Sequence, residues 1–386
     1  MRQARYLIII FAILAASCIS GNHDNTLHDP LTNKYSERFI IERYDGYSKL
    51  TVLNPWQGAG QEYFEYYIAD SVSKIPAGVE KSKIVVKPVQ KIICTSTTHI
   101  SMLQALGASD LVTGVSGSDF VYNKELRQRI NQGLIYDIGY ESGYNVELIY
   151  SLGPDLILVY GVGSESVHTF SRLADMGIPV IYIADYLENH PLARTEWIKV
   201  IGELLGRQEK AEGIFDSVSN EYNNIVEIIS VKGDKRPRVL LGLPFKDKWF
   251  ISPGNSYISR LIQDAGGQYL WADSKSDVSI PMSMEAVCIK AVDADIWLNP
   301  GAARTIKDIH SVDHRLADLQ VASEGSVFNN IKRLNEYGGN DYWESGTVNP
   351  HLLLKDIASI INPALFPDHD LVYYTALRNE APDRKW

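Results

Sequence analysis

At 386 residues the chain is too long for one ordinary core and suits two or three domains, and 45% hydrophobic with 22% charged residues excludes disorder as its main state. A formal net charge of −10 argues against a nucleic-acid binder, which needs a basic face, and leaves no bulk charge to hold a polyanionic substrate.

The start of the chain sets the compartment. Arg2 and Arg5 precede an apolar run from Tyr6 to Ala16, of export-signal length and shorter than a membrane span, which closes on Ala15-Ala16-Ser17-Cys18. Residues 1–17 read as a signal peptide and residues 18–36 as a tether, polar from Gly21 to about Ser36 with Asn, His, Asp, Thr and a Pro. Residues 37–90 read as a small antiparallel β extension. Phe39–Tyr44 and Tyr47–Leu53 flank Asp45-Gly46, a pair suited to the positive φ of a primed hairpin turn, and Tyr63–Ile68 and Lys83–Val86 supply further strands.

An N-terminal lobe, residues 91–206, opens on a buried strand at Lys91–Thr95. Ser96 or Thr97 caps the helix that follows, with Ile100, Leu103 and Leu106 on one face and Gly107 at its end. Leu111–Val115 is the next strand, and a polar, Tyr- and Gly-rich stretch then leads to Val146–Gly161, VELIYSLGPDLILVYG, in which a short amphipathic run precedes a buried strand. A helix over 165–176 and a strand over 180–184 complete an alternation that means a parallel sheet with helices on both faces. From Thr195 to Ile229 helix formers dominate. Gly206 divides the stretch, and the second helix, within residues 207–232, contains no Pro and bridges to a second lobe.

That second lobe, with the C-terminal tail, occupies residues 233–386 and repeats the grammar of the first. Met284–Gly301, MEAVCIKAVDADIWLNPG, is a second version of Val146–Gly161: the spacing from Asp155 to Gly161 equals that from Asp295 to Gly301. The expected fold is therefore α/β, two Rossmann-like lobes with parallel sheets joined by one long helix. Cys94 and Cys288 fall in apolar elements of different lobes and read as thiols rather than a disulfide.

In order, a Ser/Thr-capped helix ending Leu106-Gly107, Gly114-Val-Ser116, Glu147 followed by Pro154-Asp-Leu-Ile-Leu158, a long helix, Ala265-Gly-Gly267, Met284-Glu285 and Ala294-Asp-Ile296 resemble the periplasmic binding proteins for iron chelates and vitamin B12, the substrate-binding lipoproteins of ABC importers. The likeness spans roughly residues 90–365. It implies a ligand cleft between two lobes, a permease dimer with its ATPase as partner, a monomer, and no enzymatic activity or cofactor. Ala15-Ala16-Ser17-Cys18 resembles a lipobox, which implies lipid attachment at Cys18 and a periplasmic, membrane-anchored protein. Glu147 and Glu285 match the family's two permease-docking glutamates; each also reads as a carboxylate favoured at a helix start. Tyr122 stands where haem-binding members place an iron-ligating tyrosine, although Asn123 replaces the proline that usually follows.

Loops leaving the carboxyl ends of the strands should line the cleft. They contain Ser96, Thr97, Ser116, Tyr122 and Tyr160 on one side, and Phe245, Lys246, Trp249, Asn299 and Arg304 on the other. Aromatic rings suit a planar or catecholate chelate and cationic side chains complement a ferric siderophore, so the expected ligand is an iron chelate, siderophore or haem, with a corrinoid as the alternative. Rival readings are weaker. A surface glycan-binding lipoprotein is more usually all-β, and no nucleophile elbow, HExxH, Walker loop or GxGxxG marks an enzyme. His310 and His314, four residues apart, have a metal-ligand spacing, but Asp308, Asp313 and Asp318 around them read as a solvated face, and no metal site is expected.

Overall fold

The repeat in the sequence is a repeat in space. A computed structural model describes residues 27–379 apart from 162, 234 and 235; the export signal, Cys18 and the first part of the expected tether lie outside the described residues.

The chain opens with a five-stranded sheet of β1 (Leu27–Leu31), β2 (Phe39–Tyr44), β3 (Tyr47–Leu53), β4 (Tyr63–Ala69) and β5 (Ile84–Val86), laid side by side in chain order. Gly46 takes the positive φ that turns β2 into β3. Two expectations change here. Part of the expected tether is strand β1, paired antiparallel with β2; pairing uses main-chain groups, and an edge strand tolerates the polar residues and Pro30 that made the segment look unstructured. β5 runs parallel to β4, not antiparallel, because residues 70–83 carry the chain back along the sheet before it pairs.

The first lobe follows as β6 (Ile92–Cys94), α1 (Thr97–Ala105), β7 (Val112–Val115), α2 (Lys124–Asn131), β8 (Tyr136–Asp137), α3 (Val146–Leu152), β9 (Leu156–Val159), α4 (Gly163–Asp175) and β10 (Val180–Tyr182). Its sheet is parallel throughout, in the order β10-β9-β6-β7-β8. The connection is three helices, not two: α5 (Pro191–Glu196), α6 (Ile198–Leu205) and α7 (Gln208–Lys232), with Gly206 in the left-handed region closing α6. Along α7 the stripe Phe215, Val218, Tyr222, Ile225 and Ile229 is buried at steps of three and four.

The second lobe contains β11 (Arg238–Leu241), β12 (Lys248–Ile251), α8 (Tyr257–Asp264), β13 (Gln268–Tyr269), β14 (Ile280–Ser283), α9 (Met284–Ala291), β15 (Ile296–Leu298), α10 (Ile306–Val312), α11 (His314–Ala317), α12 (Gln320–Ser323), β16 (Val327–Asn329), α13 (Pro350–Ile361) and β17 (Thr375–Ala376). Its sheet runs β13-β11-β15-β16-β17 with only β17 antiparallel, while β12 and β14 pair separately.

The repeat's aspartates explain its survival. Asp155 Oδ2 accepts the amide hydrogens of Gln90 and Lys91 at 2.7 and 2.9 Å, and Asp295 Oδ2 accepts that of Arg238 at 2.7 Å. Each carboxylate thus pins the start of its lobe's first strand beside the strand that the aspartate itself introduces. Cys94 is buried, Cys288 partly so, and both are free thiols.

Three buried glutamates fasten the N-terminal sheet to the connecting helices. Glu196, fully buried, accepts the amide hydrogens of Lys34, Tyr35 and Ser36 at 2.8–2.9 Å and the Lys199 ammonium at 2.7 Å. Glu203 accepts from Ser48 Oγ (2.6 Å) and Arg43 Nε (3.1 Å), and Glu188 from Ser36 Oγ (2.5 Å) and Trp197 Nε1 (3.1 Å). One apolar cluster runs from Phe39 and Leu50 through Ile93 and Trp197 to Trp297 and Ile357, so sheet and both lobes share a core.

Candidate ligand cleft

The carboxyl ends of the two parallel sheets face each other across a cleft of about 990 Å³. On the first lobe, Ser96 caps α1, its Oγ accepting the Thr98 amide hydrogen at 3.2 Å, and the Tyr160 amide donates to Thr95 Oγ1 at 2.7 Å, which locks the ends of β6 and β9 together. Gly117 has a φ of +65°, and a Cβ there would meet the Phe120 ring at 2.6 Å, so glycine is what lets Phe120 fold back beside Tyr140. On the second lobe, Asn299 leaves β15 in the left-handed region, followed by Gly301 and Arg304, while Asn330, Asn340 and Trp343 come from the segment after β16.

Charge in the cleft is opposite to that of the whole chain. Among the described residues, the ionised ones lining it are Arg194 from the first lobe's α5 and Arg304 from the second lobe. Arg194 donates from Nε to the Asp185 carbonyl at 3.2 Å and lies over the Tyr257 ring, 4.6 Å from its centre. The Asp185 carboxyl is fully buried, and burial pushes its pKa up against the pull of Arg194. Arg304 is exposed, and among the described residues no ion pair or hydrogen bond holds its guanidinium. Tyr160 and Tyr186 pack at 4.3 Å between ring centres, and Tyr186 OH donates to the Gly161 carbonyl at 2.5 Å. Burial raises the pKa of Tyr140, Tyr160 and Tyr186, which favours their neutral phenol form. Asn299 Oδ1 and Ser116 Oγ are buried without a protein partner and add unspent polar capacity.

A second chamber, about 1070 Å³, opens beside the first and shares Tyr186, Asn299 and Trp343 with it. Its outer wall is the loop between β3 and β4.

Of the residues expected at the cleft, Ser96, Thr97, Ser116, Tyr160, Asn299 and Arg304 are brought together there. Four are not. Trp249 is fully buried, donates from Nε1 to the Leu241 carbonyl at 3.0 Å and packs on Trp297, because the chain after β11 doubles back as β12. Phe245 and Lys246 sit at the tip of that reversal, with Phe245 bridged to Lys248 and its ring exposed. Tyr122 is held away from the wall: its amide donates to Glu344 Oε2 at 2.8 Å and its ring lies under Arg333. Sequence reasoning missed Arg194, Tyr186 and Trp343. Arg194 sits in the last turn of the short helix α5, among residues whose pattern spells core, and only the aromatic density of Tyr342-Trp343 hinted at a site.

Glu147 and Glu285 are exposed in the first turns of α3 and α9, the equivalent helices of the two lobes, and line neither chamber. Glu285 lies 3.5 Å from Arg315. His310 and His314 are exposed on separate helices, and the described residues hold no cluster of three or more His, Cys, Asp or Glu placed to bind a metal.

Two facing α/β lobes with a cleft at their carboxyl edges are matched by a known family: residues 92–325 fit its model, described as periplasmic binding protein. The chain belongs to the periplasmic binding protein family. An uncharacterised lipoprotein of Methanocaldococcus jannaschii is 23% identical to this binding protein over 396 residues, covering 93% of this chain and 92% of the relative. A cobalamin-binding protein of Halobacterium salinarum is 25% identical over 200 residues, 52% of this chain and 51% of the relative. Among solved structures, a possible iron-binding, periplasmic solute-binding protein of Staphylococcus epidermidis superposes with a TM-score of 0.56 at 19% identity, over 72% of this chain and 100% of that one. No helix among the described residues of the binding protein is long and apolar enough to cross a membrane.

Proposed function

We propose that this binding protein captures an anionic iron chelate between its lobes and delivers it to the permease dimer of an ABC importer, held at the membrane by lipid on Cys18. The observation that carries the reading is the pair of arginines, one from each lobe, facing a cleft bordered by aromatic rings and, among the described residues, by no carboxylate. A guanidinium forks onto paired oxygens and stacks on rings, so an anionic chelate meets charge from both sides and is held fully only when both lobes engage it.

A corrinoid is the second reading, supported by the size of the two joined chambers and by the name of the Halobacterium salinarum relative. Titration of the purified protein with a ferric tris-catecholate, haem and cyanocobalamin, followed by tryptophan fluorescence and absorption, separates these. The ferric chelate should bind tightest, and Arg194→Ala or Arg304→Ala should each weaken it by about 10–100-fold, the worth of a charge-assisted hydrogen bond. Tight binding of cyanocobalamin alone, or indifference to both arginine changes, would refute the iron-chelate reading.

A further inference from the structure

The N-terminal sheet lies outside the stretch that fits the family model, yet it is built into the cleft. At the base of the β3–β4 loop, the Asn54 amide donates to the Glu62 carbonyl at 2.8 Å and Arg38 Nη1 donates to the Asn54 carbonyl at 3.0 Å. Midway, the Trp56 ring packs 5.4 Å from Tyr182 of the first lobe. Beyond it, Gln57 Nε2 reaches the Asp277 carbonyl of the second lobe at 2.6 Å. The loop therefore spans both lobes and closes one side of the second chamber.

The two chambers differ in chemistry. Among the described residues, charged lining in the first is two arginines; in the second it is Arg38 against Glu188 and Asp277, beside the rings of Trp56, Phe250 and Tyr257 and several serine hydroxyls. Phe250 is 51% exposed on strand β12 while its neighbours Trp249 and Ile251 are buried, which places an apolar ring in the chamber with no protein side chain covering it. An anionic head is favoured in the first chamber and disfavoured in the second.

We infer that the β3–β4 loop makes the second chamber a specificity site, which receives an uncharged, partly aromatic arm of a ligand whose anionic head lies between Arg194 and Arg304. The inference rests on the reading of the cleft as a chelate site. It assigns to the N-terminal sheet the selection of large, two-part ligands over compact ones.

The test uses two ferric complexes of one tripodal catecholate, one compact and one extended by a neutral benzamide arm, titrated by fluorescence quenching. The wild-type chain should bind the extended complex about tenfold tighter, the worth of one well-packed ring. Replacing Pro55–Gln61 by Asn-Gly, and separately Trp56→Ala, should remove that preference and leave affinity for the compact complex within about a factor of two or three. Trp56→Ala keeps the experiment decisive if the shortened loop does not fold. Equal binding of the two complexes by the wild-type chain, or a preference that survives both changes, overturns the inference alone. Failure of both complexes to bind overturns the chelate reading and this inference with it.

Discussion

Glu344 shows how a single side chain can join two lobes and sense pH. Its carboxylate is 1% exposed and accepts the amide hydrogens of Tyr122 and Asn123 from the opposite lobe at 2.8 and 2.9 Å. Burial pushes its pKa from 4.5 up to about 7, helped by nearby Asp341 and opposed by the two amides and Arg333. The folded chain thus keeps a proton there, between those two values, that the unfolded chain has released. The stabilisation this proton supplies is complete below about pH 4.5 and is lost as the pH rises through 7. Glu344→Gln, neutral at every pH, should flatten this part of the pH dependence; denaturation midpoints at pH 5 and pH 8 for both chains measure it, and an unchanged slope would place the titration elsewhere. None of this is legible in the sequence, where Glu344 is one acid in a polar tail. Ser96, Ser116, Tyr160 and Asn299 could be placed because a residue leaving a parallel strand must lie at the carboxyl edge. The same rule misplaced Trp249, since it assumes a helix after β11 where the chain makes a reversal into β12.

At the scale of elements, the lobes could be read and their attachment could not. Buried parallel strands write themselves as apolar runs, and the Asp155 and Asp295 copies fixed the repeat because each does the same job of pinning a strand. Strand β1 escaped because its pairing is main-chain and its edge position asks little of its side chains. The glutamates that hold the sheet escaped for another reason: Glu196 and Glu203 recur at helical spacing and look like a solvated face, whereas the sheet covers them. A carboxylate so enclosed is expensive to remove because its partners stay buried. Glu196→Ala should leave three amide hydrogens and the Lys199 ammonium unpaired and cost about 3–5 kcal/mol, read from chemical denaturation. A loss below about 1 kcal/mol would mean that water replaces the carboxylate and that the sheet is held by its apolar core alone.

For the whole molecule, motion and docking follow from how the lobes are tied. Besides α7, the lobes are linked by Glu344 on the 122–123 amides, by Thr195 Oγ1 donating to the Thr347 carbonyl at 2.7 Å, and by Gln57 on the 277 carbonyl. Ligand binding should therefore shift the lobes little, and small-angle scattering curves with and without the chelate should superimpose; a marked compaction would show that these ties open. Delivery to a permease, as proposed, needs a surface that the permease can grip, and we propose Glu147 and Glu285 for it, exposed at matching helix starts away from both chambers. The two differ in one respect that bears on the outcome. Glu285 already faces Arg315 at 3.5 Å, which, after the helix-start amide, holds its carboxyl below the usual range, so a permease arginine there must share or displace an existing partner. Glu147 has no ion-pair partner among the described residues and should carry the larger part of the contact. Reversing both charges, Glu147→Lys with Glu285→Lys, should abolish uptake while chelate affinity in solution stays within about a factor of two or three, since neither side chain reaches the ligand. Of the single changes, Glu147→Lys should impair uptake more than Glu285→Lys. Loss of chelate affinity in the double variant would move these residues out of docking and into ligand binding.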